Sequence, residues 1–115
     1  MKQIYKSSRS GSLNEALSGI SAPNLLILMS NEKQFDQHVA ELEKAFPGVP
    51  SIGCIGTSYE KNVTEGGVAV TAFTGVETVT GVLRSVMTMP VRDIKEFEDK
   101  LRSVRPDSKN TVCMD

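Results

Sequence analysis

The apolar positions of this chain recur with different periods in different stretches, and each period names an element. Asn24-Leu25-Leu26-Ile27-Leu28-Met29 is apolar almost throughout. A strand buried on both faces, as in a parallel sheet flanked by helices, reads this way. Ser30 and Asn31 follow and supply an N-cap. Phe35, Val39, Leu42 and Phe46 come next at helical spacing and form one face of a helix. Asp36, Gln37, Glu41, Glu43 and Lys44 make its solvent face. Pro47-Gly48-Val49-Pro50 ends that helix, because proline cannot continue the ladder and glycine suits its exit. Ser51-Ile52-Gly53-Cys54-Ile55-Gly56 reads as a second strand. Strand, helix and strand with short joints predict a βαβ unit with a right-handed crossover.

Beyond it, residues 57–66 form a polar, turn-rich connection. Gly67-Val68-Ala69-Val70-Thr71-Ala72-Phe73 is β-rich, Thr74-Gly75 punctuates, and residues 76–87 alternate again. These two runs predict an antiparallel hairpin. Pro90 opens a second long helix with Ile94, Phe97, Leu101 and Val104 on one face, closed by Arg105-Pro106-Asp107. Thr111-Val112-Cys113-Met114 reads as the start of another apolar strand. Such a half-written element is what a fragment of a longer protein is expected to show. At the other end, Ser7-Ser8-Arg9-Ser10-Gly11-Ser12 is polar and reads as flexible. Ser12 and Glu15 have capping-box spacing ahead of Leu13, Ala16, Leu17 and Ile20, which predicts a short helix. The expected organisation is a leading segment, residues 1–23, and an α/β domain, residues 24–115, truncated at its C-terminus. The expected fold class is α/β: a βαβ unit, an antiparallel hairpin and a second helix, giving a mixed sheet with helices packed on it.

Composition narrows the function. The chain has 115 residues, the size of one domain, and a formal net charge of -1. Nucleic acids and anionic membranes both select concentrated positive charge, which is missing here. The longest strongly apolar run, residues 25–29, is far too short to span a bilayer, so no membrane insertion is expected. Met1-Lys2-Gln3-Ile4-Tyr5-Lys6 has no signal-peptide apolar core, which points to the cytoplasm. Cys54 and Cys113 then read as reduced, buried thiols.

The chemistry-bearing candidates are few. The turn Gly53-Cys54-Ile55-Gly56-Thr57-Ser58 lies at the carboxyl end of the second predicted strand, where open α/β sheets bind ligands. Gly53 permits close backbone approach, and Thr57 and Ser58 offer hydroxyls. The turn has no Walker A lysine and no GxGxxG, so a phosphate cradle is not supported. Cys54 could serve as a nucleophile beside a base, but His38 is the only histidine. It falls beside Val39 at the edge of the buried stripe and reads as an exposed or half-buried structural residue. One histidine and two separated cysteines fall short of the three converging ligands a metal requires. Glu60 and Glu65, in the longest polar connection, could do acid-base work if they met in space. No catalytic set and no cofactor emerges.

Three stretches in order carry a family resemblance: Asn24-Leu25-Leu26-Ile27-Leu28-Met29-Ser30; Ala45-Phe46-Pro47-Gly48-Val49-Pro50-Ser51-Ile52-Gly53-Cys54; and Thr64-Glu65-Gly66-Gly67-Val68-Ala69-Val70-Thr71-Ala72-Phe73. Together they resemble the first part of a FIST N-terminal domain, over residues 20–88. The resemblance implies a non-catalytic sensory module of signal-transduction proteins that binds a small ligand such as an amino acid. It implies a following C-terminal FIST partner domain and an output domain beyond this chain. It brings forward Gly53, Cys54 and Thr57 as ligand contacts. Two other readings compete with it. One is an enzyme fragment using Cys54 as a nucleophile. The other is a protein-interaction module, prone to self-association through an open sheet edge.

Overall fold

The computed structural model describes residues 1–56, 66–82 and 91–114. The elements in chain order are β1 (Lys2–Ser8), α1 (Leu13–Leu17), β2 (Leu25–Ser30), α2 (Phe35–Ala45), β3 (Ser51–Ile55), β4 (Val68–Thr74) and α3 (Val91–Val104). A single 3-10 turn, Glu32–Gln34, leads into α2. The chain divides into two compact units, Met1–Val76 and Glu77–Asp115.

The first unit is a four-stranded mixed sheet in the order β1-β4-β2-β3. β2 and β3 run parallel, joined through α2, as the βαβ reading expects. β4 runs antiparallel to both β1 and β2. The α/β class and the mixed sheet carrying helices are therefore as the sequence predicts. Leu13 and Ala16 of α1 and Leu42 of α2 pack on Leu26, Leu28, Val68, Val70 and Ala72. Both helices thus cover the same face of the sheet. β2 alternates between fully and half-buried residues along its length, rather than being buried evenly on both faces. Leu26, Leu28 and Ser30 meet the helices, and Leu25, Ile27 and Met29 take the other face.

Several expectations are corrected. Residues 2–8, placed by sequence in the leading segment, form an outer strand of the sheet. Its register against β4 is continuous, from Lys2 opposite Thr74 to Ser8 opposite Val68. That pairing also displaces the predicted hairpin. β4 already has β1 on one side and β2 on the other, so the described residues 76–82 find no free edge of it. Residues 76–82 form no strand, and residues 83–90 lie outside the described residues.

The buried face of α2 follows the prediction at Phe35, Leu42 and Phe46 and departs from it at one position. His38 and Leu42 are buried, whereas Val39 is 44% exposed. Adjacent helical residues differ by about 100° around the axis, so burying residue 38 turns residue 39 toward solvent. The short helix at residues 13–17 is where the sequence places it. The Ser12 side chain accepts a hydrogen bond from the Glu15 backbone N–H at 3.4 Å.

In the second unit, α3 occupies Val91–Val104, and Phe97, Leu101 and Val104 share its half-buried side. Ile94, placed on that face by sequence, is exposed. The Phe97 ring lies where a β-carbon on Gly81 would sit, so a glycine is needed there for close approach. Residues 111–114, expected to begin a strand, form none and are exposed. Among the described residues no helix is long and apolar enough to cross a membrane.

Candidate functional site at the carboxyl rim of the sheet

β2 and β3 are parallel, so their carboxyl ends share one rim. The antiparallel register brings Ser8 of β1 and Val68 of β4 to the same rim. Three groups of connecting residues meet there: residues 9–12, residues 31–34, and Gly56 with Gly66 and Gly67. Three hydrogen-bonding side chains and one glycine hold them.

The first joint is Asn31. Its Oδ1 accepts from the Gln34 backbone N–H at 3.0 Å and caps the turn into α2. Its Nδ2 donates to the carbonyls of Gly66 at 3.0 Å and Gly67 at 3.3 Å. The Asn31 backbone N–H donates to the Gly67 carbonyl as well. One side chain thus fixes both the start of α2 and the return into β4. The sequence suggests the cap, but not the reach to Gly66 and Gly67 across 35 and 36 residues.

The second joint is His38, 1% exposed, with Ser30, 0% exposed. Its Nδ1 lies 2.6 Å from Ser30 Oγ, and its Nε2 lies 2.8 Å from the Gly11 carbonyl oxygen. A carbonyl only accepts, so Nε2 carries a hydrogen and donates. In the neutral ring Nδ1 then accepts from the Ser30 hydroxyl. The ring ties α2 to β2 and to the loop after β1. This corrects the exposed or half-buried placement drawn from the helical stripe. A long-range partner, Gly11, makes burial of the polar ring affordable, and no local signal announces it.

The third joint is Gly11, with φ of +76°. A β-carbon there would collide with Gln34 Oε1 and lie 2.8 Å from the Gly66 carbonyl oxygen. Glycine is required by both conformation and space. The fourth is Glu15, whose Oε2 accepts from Ser8 Oγ at 2.9 Å and Ser10 Oγ at 3.2 Å. The capping-box geometry is thereby altered: Glu15 reaches back to two serine hydroxyls. These bonds also order residues 8–10, which the sequence read as flexible. Among the described residues no buried side-chain polar atom lacks a partner.

The sequence-selected residues fall around this rim unevenly. Gly53 and Cys54 lie in β3, the outer strand, and all five of its residues are exposed. A β-carbon on Gly53 would sit 3.5 Å from the Phe35 ring of α2, so residue 53 faces the helices and Cys54 faces away. His38 is on the helix side, bonded to Ser30. The sheet therefore separates Cys54 from His38, and no Cys-His pair forms. The reading of both cysteines as buried is corrected too: Cys54 and Cys113 are exposed. Cys54 is exposed because no helix of its unit covers that face of β3, and Cys113 because its segment forms no strand. Thr57, Ser58, Glu60 and Glu65 lie outside the described residues. Gly56 is placed, and its N–H donates to the Ser30 carbonyl at 3.1 Å, closing the β2–β3 ladder at the rim. Among the described residues, no group of three His, Cys, Asp or Glu side chains could hold a metal ion.

The fold and its rim define an α/β domain with a parallel βαβ unit and two further strands, β4 and β1. Compared with known proteins, the chain matches no family model, no curated protein and no solved structure.

Proposed function

We propose that the chain is a small-ligand-sensing, non-catalytic domain of an intracellular signal-transduction protein. Its ligand, such as an amino acid, would bind at the carboxyl rim of β2 and β3, with Gly53, Cys54, Thr57 and Ser58 as the nearest contacts. The FIST resemblance supplies the class. The observation that carries the site is the double hold of Asn31 on Gly66 and Gly67 and on the first turn into α2. The connection from Gly56 to Gly66 starts and ends at this rim, beside the ends of a parallel strand pair where α/β sheets take ligands. A ligand that draws on this connection pulls on Asn31 and, through it, on α2. The signal would be a population shift between arrangements that differ in affinity for the ligand.

Thermal unfolding with a panel of amino acids and small metabolites tests the reading. One chemical class should raise Tm, with stabilisation of about 2.7 kcal/mol at a hundredfold excess over Kd. Asn31→Ala should keep the fold and lose most of that shift. A panel that moves Tm nowhere overturns the proposal.

A further inference from the structure

The two outer strands of the sheet are guarded unequally. An outer strand offers unpaired N–H and C=O groups, and natural sheets blunt such edges with lysines, proline, bulges or inward-pointing charge. β1 carries this protection. Lys2 and Lys6 lie opposite Thr74 and Val70, in the same set of positions as Ile4, on the face that the helices cover. β3 has none of it. Its residues Ser51-Ile52-Gly53-Cys54-Ile55 include no charge and no proline, and all are exposed. Ile52 is 40% and Ile55 57% exposed. Among the described residues nothing pairs with its outer side.

The ladder with β2 settles which backbone groups β3 presents. The Leu26 N–H donates to the Pro50 carbonyl, and the Gly56 N–H donates to the Ser30 carbonyl. Groups alternate along a strand, so Ile52 and Cys54 also bond inward. Ser51, Gly53 and Ile55 direct both N–H and C=O outward.

We infer that β3 is a self-association site, taking the β3 strand of a second copy of this chain in antiparallel pairing about a two-fold axis at Gly53. This register sets Gly53 opposite Gly53 and Ser51 opposite Ile55, so every outward group donates and accepts. It places Ile52 opposite Cys54 on the other face. The absence of charge removes like-charge repulsion when the strand meets itself. The lysines of β1 disfavour β3-to-β1 stacking, which would propagate without end, whereas β3-to-β3 pairing closes as a dimer. This inference is independent of the ligand proposal and uses the opposite side of β3 from the β2 ladder.

The test uses the full chain. Light scattering across concentration should show the mass doubling and stopping there. Ile55→Lys and Gly53→Pro should each raise the dimer Kd about tenfold or more, with melting curves showing that the monomer still folds. Gly53→Pro removes only an outward N–H, which outer strands tolerate. As a separate readout, Ile52→Cys in a Cys113→Ser background sets the introduced thiol opposite Cys54 of the second copy. Mild oxidation should give a covalent dimer, faster than the same background without Ile52→Cys. A monomer at every soluble concentration overturns the inference. So do growth beyond a dimer and a dimer indifferent to both edge variants. A monomer that instead binds a labelled extended peptide of unrelated sequence overturns the second copy as occupant.

Discussion

β1 and β3 are both outer strands, yet they are held in place by different means. β3 announces itself in sequence. It is apolar and glycine-containing, follows a helix stop, and joins β2 by the short crossover of a βαβ unit. β1 has a polar, lysine-bearing sequence and becomes a strand only because β4 offers it an edge. It is then secured by side-chain joints at its carboxyl end: Glu15 holds Ser8 and Ser10, and His38 holds Gly11. Among the described residues β3 has no such side-chain joint, and all its residues are exposed. Strength of local pattern and depth of integration are therefore separate properties in this sheet.

That contrast can be broken first at β1 itself. Deleting residues 1–8 bares one side of β4 and removes one of the two serine partners of Glu15. Urea unfolding followed by far-UV circular dichroism should then lose its cooperative transition, and a sharp transition near the parent midpoint would refute the integrated role of β1. Next in size, His38→Ala leaves the Gly11 carbonyl without its buried donor, leaves the Ser30 hydroxyl only the Asn31 carbonyl, and opens a void. A loss of about 3 kcal/mol in urea unfolding is expected. Gly11→Ala forces a β-carbon onto the Gly66 carbonyl at positive φ and should cost about 1–3 kcal/mol by the same measurement. Glu15→Ala removes one partly buried and one exposed hydrogen bond, for about 1 kcal/mol. It should also speed amide exchange in residues 8–10 without touching β3. At the small end, Ile52→Thr on the exposed face of β3 should change monomer stability by no more than about 0.5 kcal/mol. A larger loss there would show that β3 is as integrated as β1.

Much of the fold is legible in the sequence. The apolar run at residues 24–29, the helical spacing after it and the stop at residues 47–50 mark β2, α2 and β3 from local pattern alone. Ser12 and Glu15 mark α1, and the spacing of Phe97, Leu101 and Val104 marks α3. The misses share one cause. β1 lacks a local signal because its pairing with β4 spans most of the first unit. The hairpin failed because an alternating run beside a turn says nothing about whether its neighbour's edges are already taken. Val39 and His38 exchanged roles because polarity ranked them, whereas two distant oxygen atoms decided which was buried. At the rim, the sequence drew attention to Gly53 and Cys54. Asn31, Gly11 and Glu15, which hold the rim together, look like ordinary turn and cap residues until their partners are known.

The sequence by itself determined the local elements, the parallel βαβ unit and the lack of charge along residues 51–55, since each depends on neighbours a few positions apart. Tertiary structure alone decided that residues 2–8 form a strand, that His38 is buried, that Cys54 is exposed on the face away from it, and that β3 is an outer strand of the sheet. Each of these rests on hydrogen bonds or coverage between residues far apart in the chain, and a periodicity carries no information about distant partners.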